Sequence, residues 1–110
     1  MPEIKLRLGF EELRSIDSAT FAGAYLDLGT PFENPLRAFK ITNNSTVDVL
    51  VSYDGGTTDH EIVPAGSFFL FDITSNRVWD AELVISAQTQ VSVKGSAGVG
   101  LVYLSAYYAR

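Results

Sequence analysis

The chain carries one histidine, His60, and it stands between two carboxylates, Asp59 and Glu61, in the stretch DGGTTDHEIV. A histidine beside an acid is a starting point for general-base chemistry, because a carboxylate can orient an imidazole that takes up a proton near neutral pH. Such a site also needs a nucleophile, and the nearest hydroxyls, Thr57 and Thr58, read as turn residues. Adjacent side chains in an extended chain point to opposite faces, so Asp59 and Glu61 do not orient His60 merely by adjacency. His60 therefore reads as a solvated or interface histidine. The expectation is no catalytic residue and no enzyme.

Asp54, Asp59 and Glu61 could gather oxygens for a hard cation such as calcium. Their spacing fails the EF-hand template, because Gly56 and Thr58 stand where oxygen-bearing acids or amides are required. They read instead as a turn-starting Asp and two solubilising charges, with no metal and no cofactor. Trp79 and Tyr53 offer aromatic faces on which a sugar could stack, although a lone tryptophan in a β-domain usually belongs to a core.

The elements that must hold these residues are strands. Glu3 to Leu8 alternates, with Ile4, Leu6 and Leu8 on one side and Lys5 and Arg7 on the other. Phe10 to Ile16 reads as a loop or a single turn, with Glu11, Glu12 and Arg14 outward. Phe21 to Leu28 reads as a strand weakened at Gly23, followed by the loop GTPFENP. Arg37 to Thr42 forms a strand with Phe39 and Ile41 inward, and NNST turns the chain; the two glycosylation-like triplets there are turn chemistry. Val47 to Tyr53 is the clearest strand, with Val47, Val49, Val51 and Tyr53 on one face. Asp54-Gly55-Gly56 reverses it. Glu61 to Val63 is extended, and Pro64-Ala65-Gly66 closes it. Ser67 to Ile73 is a strand apolar on both faces. Val78 to Ser86 holds one or two short strands, and Thr89 to Lys94 places Val91 and Val93 inward.

The last strand, Val99 to Tyr108, is apolar or aromatic on both sides. Leu101, Tyr103, Ser105 and Tyr107 share one face; Val102, Leu104, Ala106 and Tyr108 share the other. Either it is a central strand covered twice, or one face packs against another subunit. Tyrosine suits the second case, because its ring packs while its hydroxyl meets a wet partner. The candidate interface residues are Tyr103, Tyr107, Tyr108, Phe10 and Leu8. About eight strands with turns at short intervals predict an all-β fold, an antiparallel two-sheet sandwich of jelly-roll type; an immunoglobulin-like sandwich is the alternative. Residues 1–18 would form an N-terminal strand or arm, and residues 19–110 the sandwich, within a single domain.

Composition narrows the function. A net charge of -5, with eight Lys and Arg scattered along 110 residues, disfavours binding to a nucleic-acid backbone. No apolar run is long enough to span a membrane as a helix, and MPEIKLRLGFEELRS lacks the continuous apolar stretch of a secretory signal. With no cysteine, neither disulfides nor thiolate metal sites can form. Charged residues are 19% of the chain, low for a small soluble domain, which suggests that a partner covers part of its surface.

The segment Val49, Val51, Tyr53, Asp54, Gly55, then Asp59 and His60, then Val63, Pro64, Ala65 and Gly66, resembles a pattern of small virion proteins of tailed bacteriophages. In that pattern a V-x-V-x-[YF]-D-G strand leads through a polar D-H turn to V-P-A-G and an apolar strand. The tyrosine-rich ending at Tyr103, Tyr107 and Tyr108 is similar as well. The resemblance covers about Ala38 to Arg110 and leaves the N-terminal third unmatched. It implies a capsid decoration protein of the cement or staple kind. Such a protein binds the major capsid protein or other virion subunits on the outside of the particle and bridges neighbouring capsid subunits; two strands apolar on both faces separately suggest a homo-oligomer, a dimer or trimer. A head–tail connector or tail-fibre component, and a carbohydrate- or receptor-binding module, are the alternatives.

Overall fold

The computed structural model describes residues 8–73, 77–78, 81–82 and 84–109. Its strands are β1 (Leu8–Phe10), β2 (Arg14–Asp17), β3 (Leu26–Asp27), β4 (Ala38–Ser45), β5 (Val49–Ser52), β6 (Glu61–Val63), β7 (Phe68–Asp72), β8 (Arg77–Val78), β9 (Ala81–Glu82), β10 (Ser92–Lys94) and β11 (Gly100–Ala109). A 3-10 turn over Ser18–Thr20 follows β2. The first sheet runs β1-β11-β4-β7, with β2 also paired to β11; the second runs β3-β10-β5-β6; β8 and β9 form a separate hairpin. Every pairing is antiparallel.

The pairing is nested. β5 pairs with β6, β4 with β7, β3 with β10, and β1 and β2 with the two halves of β11. One long hairpin, rolled so that β11 also meets β4 and β10 also meets β5, is a jelly roll. The expected two-sheet sandwich is the observed fold.

The core follows the period of two. Phe39 and Ile41 of β4, Val49 and Val51 of β5, and Val102, Leu104 and Ala106 of β11 are buried, together with Val63, Val91 and Val93. Valine dominates because a β-branched side chain suits the pleated, covered face of a strand.

Several local expectations are corrected. The turn expected at NNST begins later, because Asn43, Asn44 and Ser45 complete β4. Asn43 is fully buried, and its Nδ2 donates to the carbonyls of Val47 (2.8 Å) and Val63 (2.9 Å). The residue type that signals a turn here satisfies buried carbonyls from within a strand. Of Phe21 to Leu28, only Leu26–Asp27 is strand. Gly23 there takes a positive φ of 80° and breaks the extended path.

Residues 11–13 are a loop with Glu12 outward, as expected, but Glu11 and Arg14 turn inward. Arg14 begins β2, and the Arg14 and Glu11 side chains are 7% and 3% exposed. Arg14 Nη2 meets Glu11 Oε1 at 2.9 Å, and the guanidinium also donates to the carbonyls of Glu12, Thr30 and Pro31. Glu11 in turn accepts from Glu33 N–H and from both nitrogens of Asn34. This closed network fastens the start of the chain to the 30–34 loop. Ser18 is fully buried and donates to the carbonyl of Gly100, so residues 8–18 belong to the first sheet. Of the expected strand Glu3 to Leu8, all but Leu8 lies outside the described residues, as does Trp79.

Candidate functional site

Two places deserve a chemical reading: the loop around His60 and the outer face of the first sheet. Much of the loop's hydrogen bonding is internal. Ser52 Oγ donates to Asp54 Oδ1 at 2.6 Å and accepts from Gly56 N–H at 3.0 Å. Thr58 N–H donates to the same Asp54 oxygen. The hydrogen bonds from Ser52 and then Thr58 hold the Asp54 carboxyl down to about 2. His60 Nδ1 accepts the Tyr53 N–H at 3.1 Å, which leaves Nε2 4.0 Å from Asp54 Oδ2.

Asp59 does not orient His60. It takes the Tyr25 hydroxyl and lies 3.4 Å from Lys94 Nζ, which also sits over the Tyr25 ring. The Tyr25 hydrogen bond leads in lowering the Asp59 pKa, while burial and then Asp59 push the Tyr25 phenol up to about 12. Among the described residues no hydroxyl is hydrogen-bonded to His60, and no three metal-ligating side chains converge. The carboxylates of Asp54 and Asp59 are spent on shaping the loop. Tyr53 is no open sugar platform either. Its ring packs edge-on to Phe39 and stacks on His60 at 5.3 Å, and its hydroxyl is buried.

The outer face of the first sheet is the opposite case. The register puts Phe10 beside Tyr107 and Ser15 beside Tyr103. On the other flank of β11, Tyr107 faces Ala38, Ser105 faces Lys40 and Tyr103 faces Thr42. Beyond β4, Lys40 pairs with Leu70 and Thr42 with Phe68. Period two then places Leu8, Phe10, Leu101, Tyr103, Tyr107, Phe68 and Leu70 on one surface. Leu8 is 55% exposed, Phe10 66%, Phe68 62% and Leu70 52%, so the patch is open at both ends. Phe10 and Tyr107 meet edge-to-face at 5.7 Å, and Lys40 Nζ lies 4.8 Å from the Phe68 ring centre.

Four of the five candidate interface residues, Leu8, Phe10, Tyr103 and Tyr107, thus gather on this face. Tyr108 lies on the core side, where it packs against the buried cluster. It fills the space over Gly9, where any added Cβ would run into its ring. Phe68, Leu70 and Lys40 complete the face without having been singled out as interface residues. For Phe68 and Leu70 the two-sided apolar character of Ser67 to Ile73 was the only signal, and the pairing of β7 with β4 is what brings them in.

Comparison with protein-family models and with curated proteins finds no match.

Proposed function

We propose that this chain is a non-enzymatic structural protein of a tailed-phage particle. It docks the outer face of its first sheet on the outside of the capsid and bridges neighbouring shell subunits. The observation that carries the docking role is the patch itself: the exposed side chains of Leu8, Phe10, Phe68 and Leu70, with the half-buried rings of Tyr103 and Tyr107, on one rigid sheet face among the described residues. Ser105, Lys40 and Thr42 lie between the exposed apolar groups of β1 and β7, so the face mixes apolar and polar contacts as interfaces between separate proteins do. The particle assignment comes from the resemblance of the stretch from Val49 to Gly66, and it names the partner as the major capsid protein or another virion subunit.

Each contact can be weak, because attachment at many sites of a repeating shell multiplies modest affinities. Self-association as a dimer or trimer would add to that effect. Quantitative mass spectrometry of purified particles tests the assignment. A copy number near that of the shell protein fits decoration of the capsid. A few copies per particle would move the chain to the connector or tail, and its absence would end the virion reading. Phe10→Asp and Phe68→Asp should remove particle binding while leaving the fold intact.

A further inference from the structure

The first sheet ends at β7, which pairs with β4 and has no strand on its other side among the described residues. We propose that this free edge is a self-association surface. β7 of one copy pairs antiparallel with β7 of a second copy about a two-fold axis, joining the two first sheets into one. This pairing supplies the dimer of the proposed function, whose self-association it rests on, and it forms without any particle.

The phase of the ladder identifies the free groups. Asn43 N–H donates to the Ser67 carbonyl at 2.8 Å, and Ile73 N–H donates to the Arg37 carbonyl at 2.9 Å. In an antiparallel pair the backbone groups of alternate residues turn toward the partner strand. Ser67, Phe69, Phe71 and Ile73 therefore aim theirs at β4, and Phe68 and Leu70 aim theirs outward. Proteins keep such edges single with Lys, Pro, a bulge, short length or a cover. β7 has five residues, FFLFD, in unbroken register with β4, and Phe68, Leu70 and Phe71 are exposed. At the corresponding end of the second sheet, β6 has three residues, starts at Glu61 and runs into Pro64. The first edge lacks the protection that the second has.

The sequence of β7 suits a second copy of itself. With the axis at Phe69, the outward groups of Phe68 bond those of the partner's Leu70, and the reverse. Phe68 then faces the partner's Leu70 on the outer face, and Phe69 faces the partner's Phe69 on the other, apolar against apolar. An axis at Leu70 would set Phe68 against the partner's Asp72, so the Phe69 register is favoured. In that register Asp72 falls opposite the partner's Gly66, in the turn before the strand, and the two carboxylates stay at opposite ends of the pairing. A two-fold pairing uses the edge up, so assembly closes at the dimer. Phe68 and Leu70 stand at the β7 end of the exposed patch, so the patches of two copies continue across the axis as one face. The edge joins the copies through backbone, and the face stays open for docking.

Sedimentation equilibrium of the purified full-length chain, with no particle present, is the test. A pairing this small should give a dimer at micromolar concentrations. Leu70→Pro removes an outward N–H and no bond to β4, a change that an edge strand tolerates. It should melt like the wild type and dimerise at least about tenfold more weakly. The chain has no cysteine, so single cysteines report the register without proline. A mixture of Phe68→Cys and Leu70→Cys should form the mixed disulfide in preference to either self-linked one, because each residue's own counterpart lies a diagonal away. The proposal is overturned if the wild type stays monomeric up to about 1 mM or forms a trimer. It is also overturned if folded Leu70→Pro dimerises like the wild type, or if Leu70→Cys links to itself in preference to Phe68→Cys. A monomer that still decorates particles would end this proposal alone, and a dimer absent from particles would end the virion reading alone.

Discussion

The two faces of β11 are built from neighbouring residues of one strand, yet they meet opposite environments. Val102, Leu104 and Ala106 are fully covered by the second sheet. Leu101, Tyr103, Ser105 and Tyr107, one residue out of step, are only half-buried. The covered face uses small and aliphatic side chains that fill a closed volume. The open face uses tyrosines, a serine and, next door, a lysine, groups that can pack and still reach a wet partner. An apolar face that folding leaves open is explained by association, whereas a buried one is explained by stability.

The largest effect separates these roles. Leu104→Ala opens a cavity between the sheets and should cost about 3 kcal/mol in a denaturant melt. Tyr103→Ser, one step along the same strand, should cost less than about 1 kcal/mol, since surface changes rarely cost more. Particle binding should show the reverse order once stability is accounted for. Equal stability losses for the two variants would erase the distinction between the faces.

Much of this arrangement was legible in the sequence because the period of two is local. Alternation in Val49 to Tyr53 and in Leu101 to Tyr108 states which residues share a face before any partner strand is known. Two kinds of feature were not legible. Asn43 and Arg14 are buried because of the carbonyls they meet far along the chain, and composition alone assigns them to a turn and to solvent. Alternation already places Tyr108 on the face of Val102, Leu104 and Ala106, but its packing over Gly9 exists only once β1 pairs with β11. The candidate face was half visible for the same reason: its β11 residues follow from alternation, but Phe68 and Leu70 join it through strand pairing.

The next effect concerns the network that anchors the open face at its N-terminal end. Glu11→Gln leaves Arg14 buried without its anion and should cost about 2 kcal/mol at neutral pH. Burial raises the Glu11 pKa, but the hydrogen bonds from Asn34, Arg14 and Glu33 outweigh it, and the pKa lies below its ordinary 4.5. The sign follows. The ionised carboxylate contributes stability in full above that ordinary value, and the contribution is lost as the pH falls through the lower folded value. Wild-type protein should therefore lose stability on acidification below about pH 4.5, and Glu11→Gln should flatten that slope.

Gly9→Ala tests the assignment of Tyr108 to the core side. The new methyl group meets the tyrosine ring, which must swing aside, at a cost of about 1 kcal/mol. Adding Tyr108→Ala should remove most of that penalty, giving a coupling in a double-mutant cycle that independent sites would not show. If the two changes simply add, Tyr108 is not held against Gly9, and it returns to the list of residues free to meet a partner.

The smallest effect lies in the polar loop, which serves as the control for the open face. Asp54 is exposed, and its pKa is held to about 2 by Ser52 and Thr58. A depressed carboxyl supports its loop above the ordinary value of 3.8 and releases it as the pH falls toward 2. NMR should therefore show the Thr58 amide losing its Asp54 hydrogen bond in that interval, with no change at Tyr103 or Tyr107. Ser52→Ala should move the Asp54 titration upward and leave particle binding alone. Asp54, held by Ser52 and Thr58 within the loop, has little left to offer a partner. If Ser52→Ala weakened attachment to particles, the loop would share in the docking that the sheet face is assigned alone.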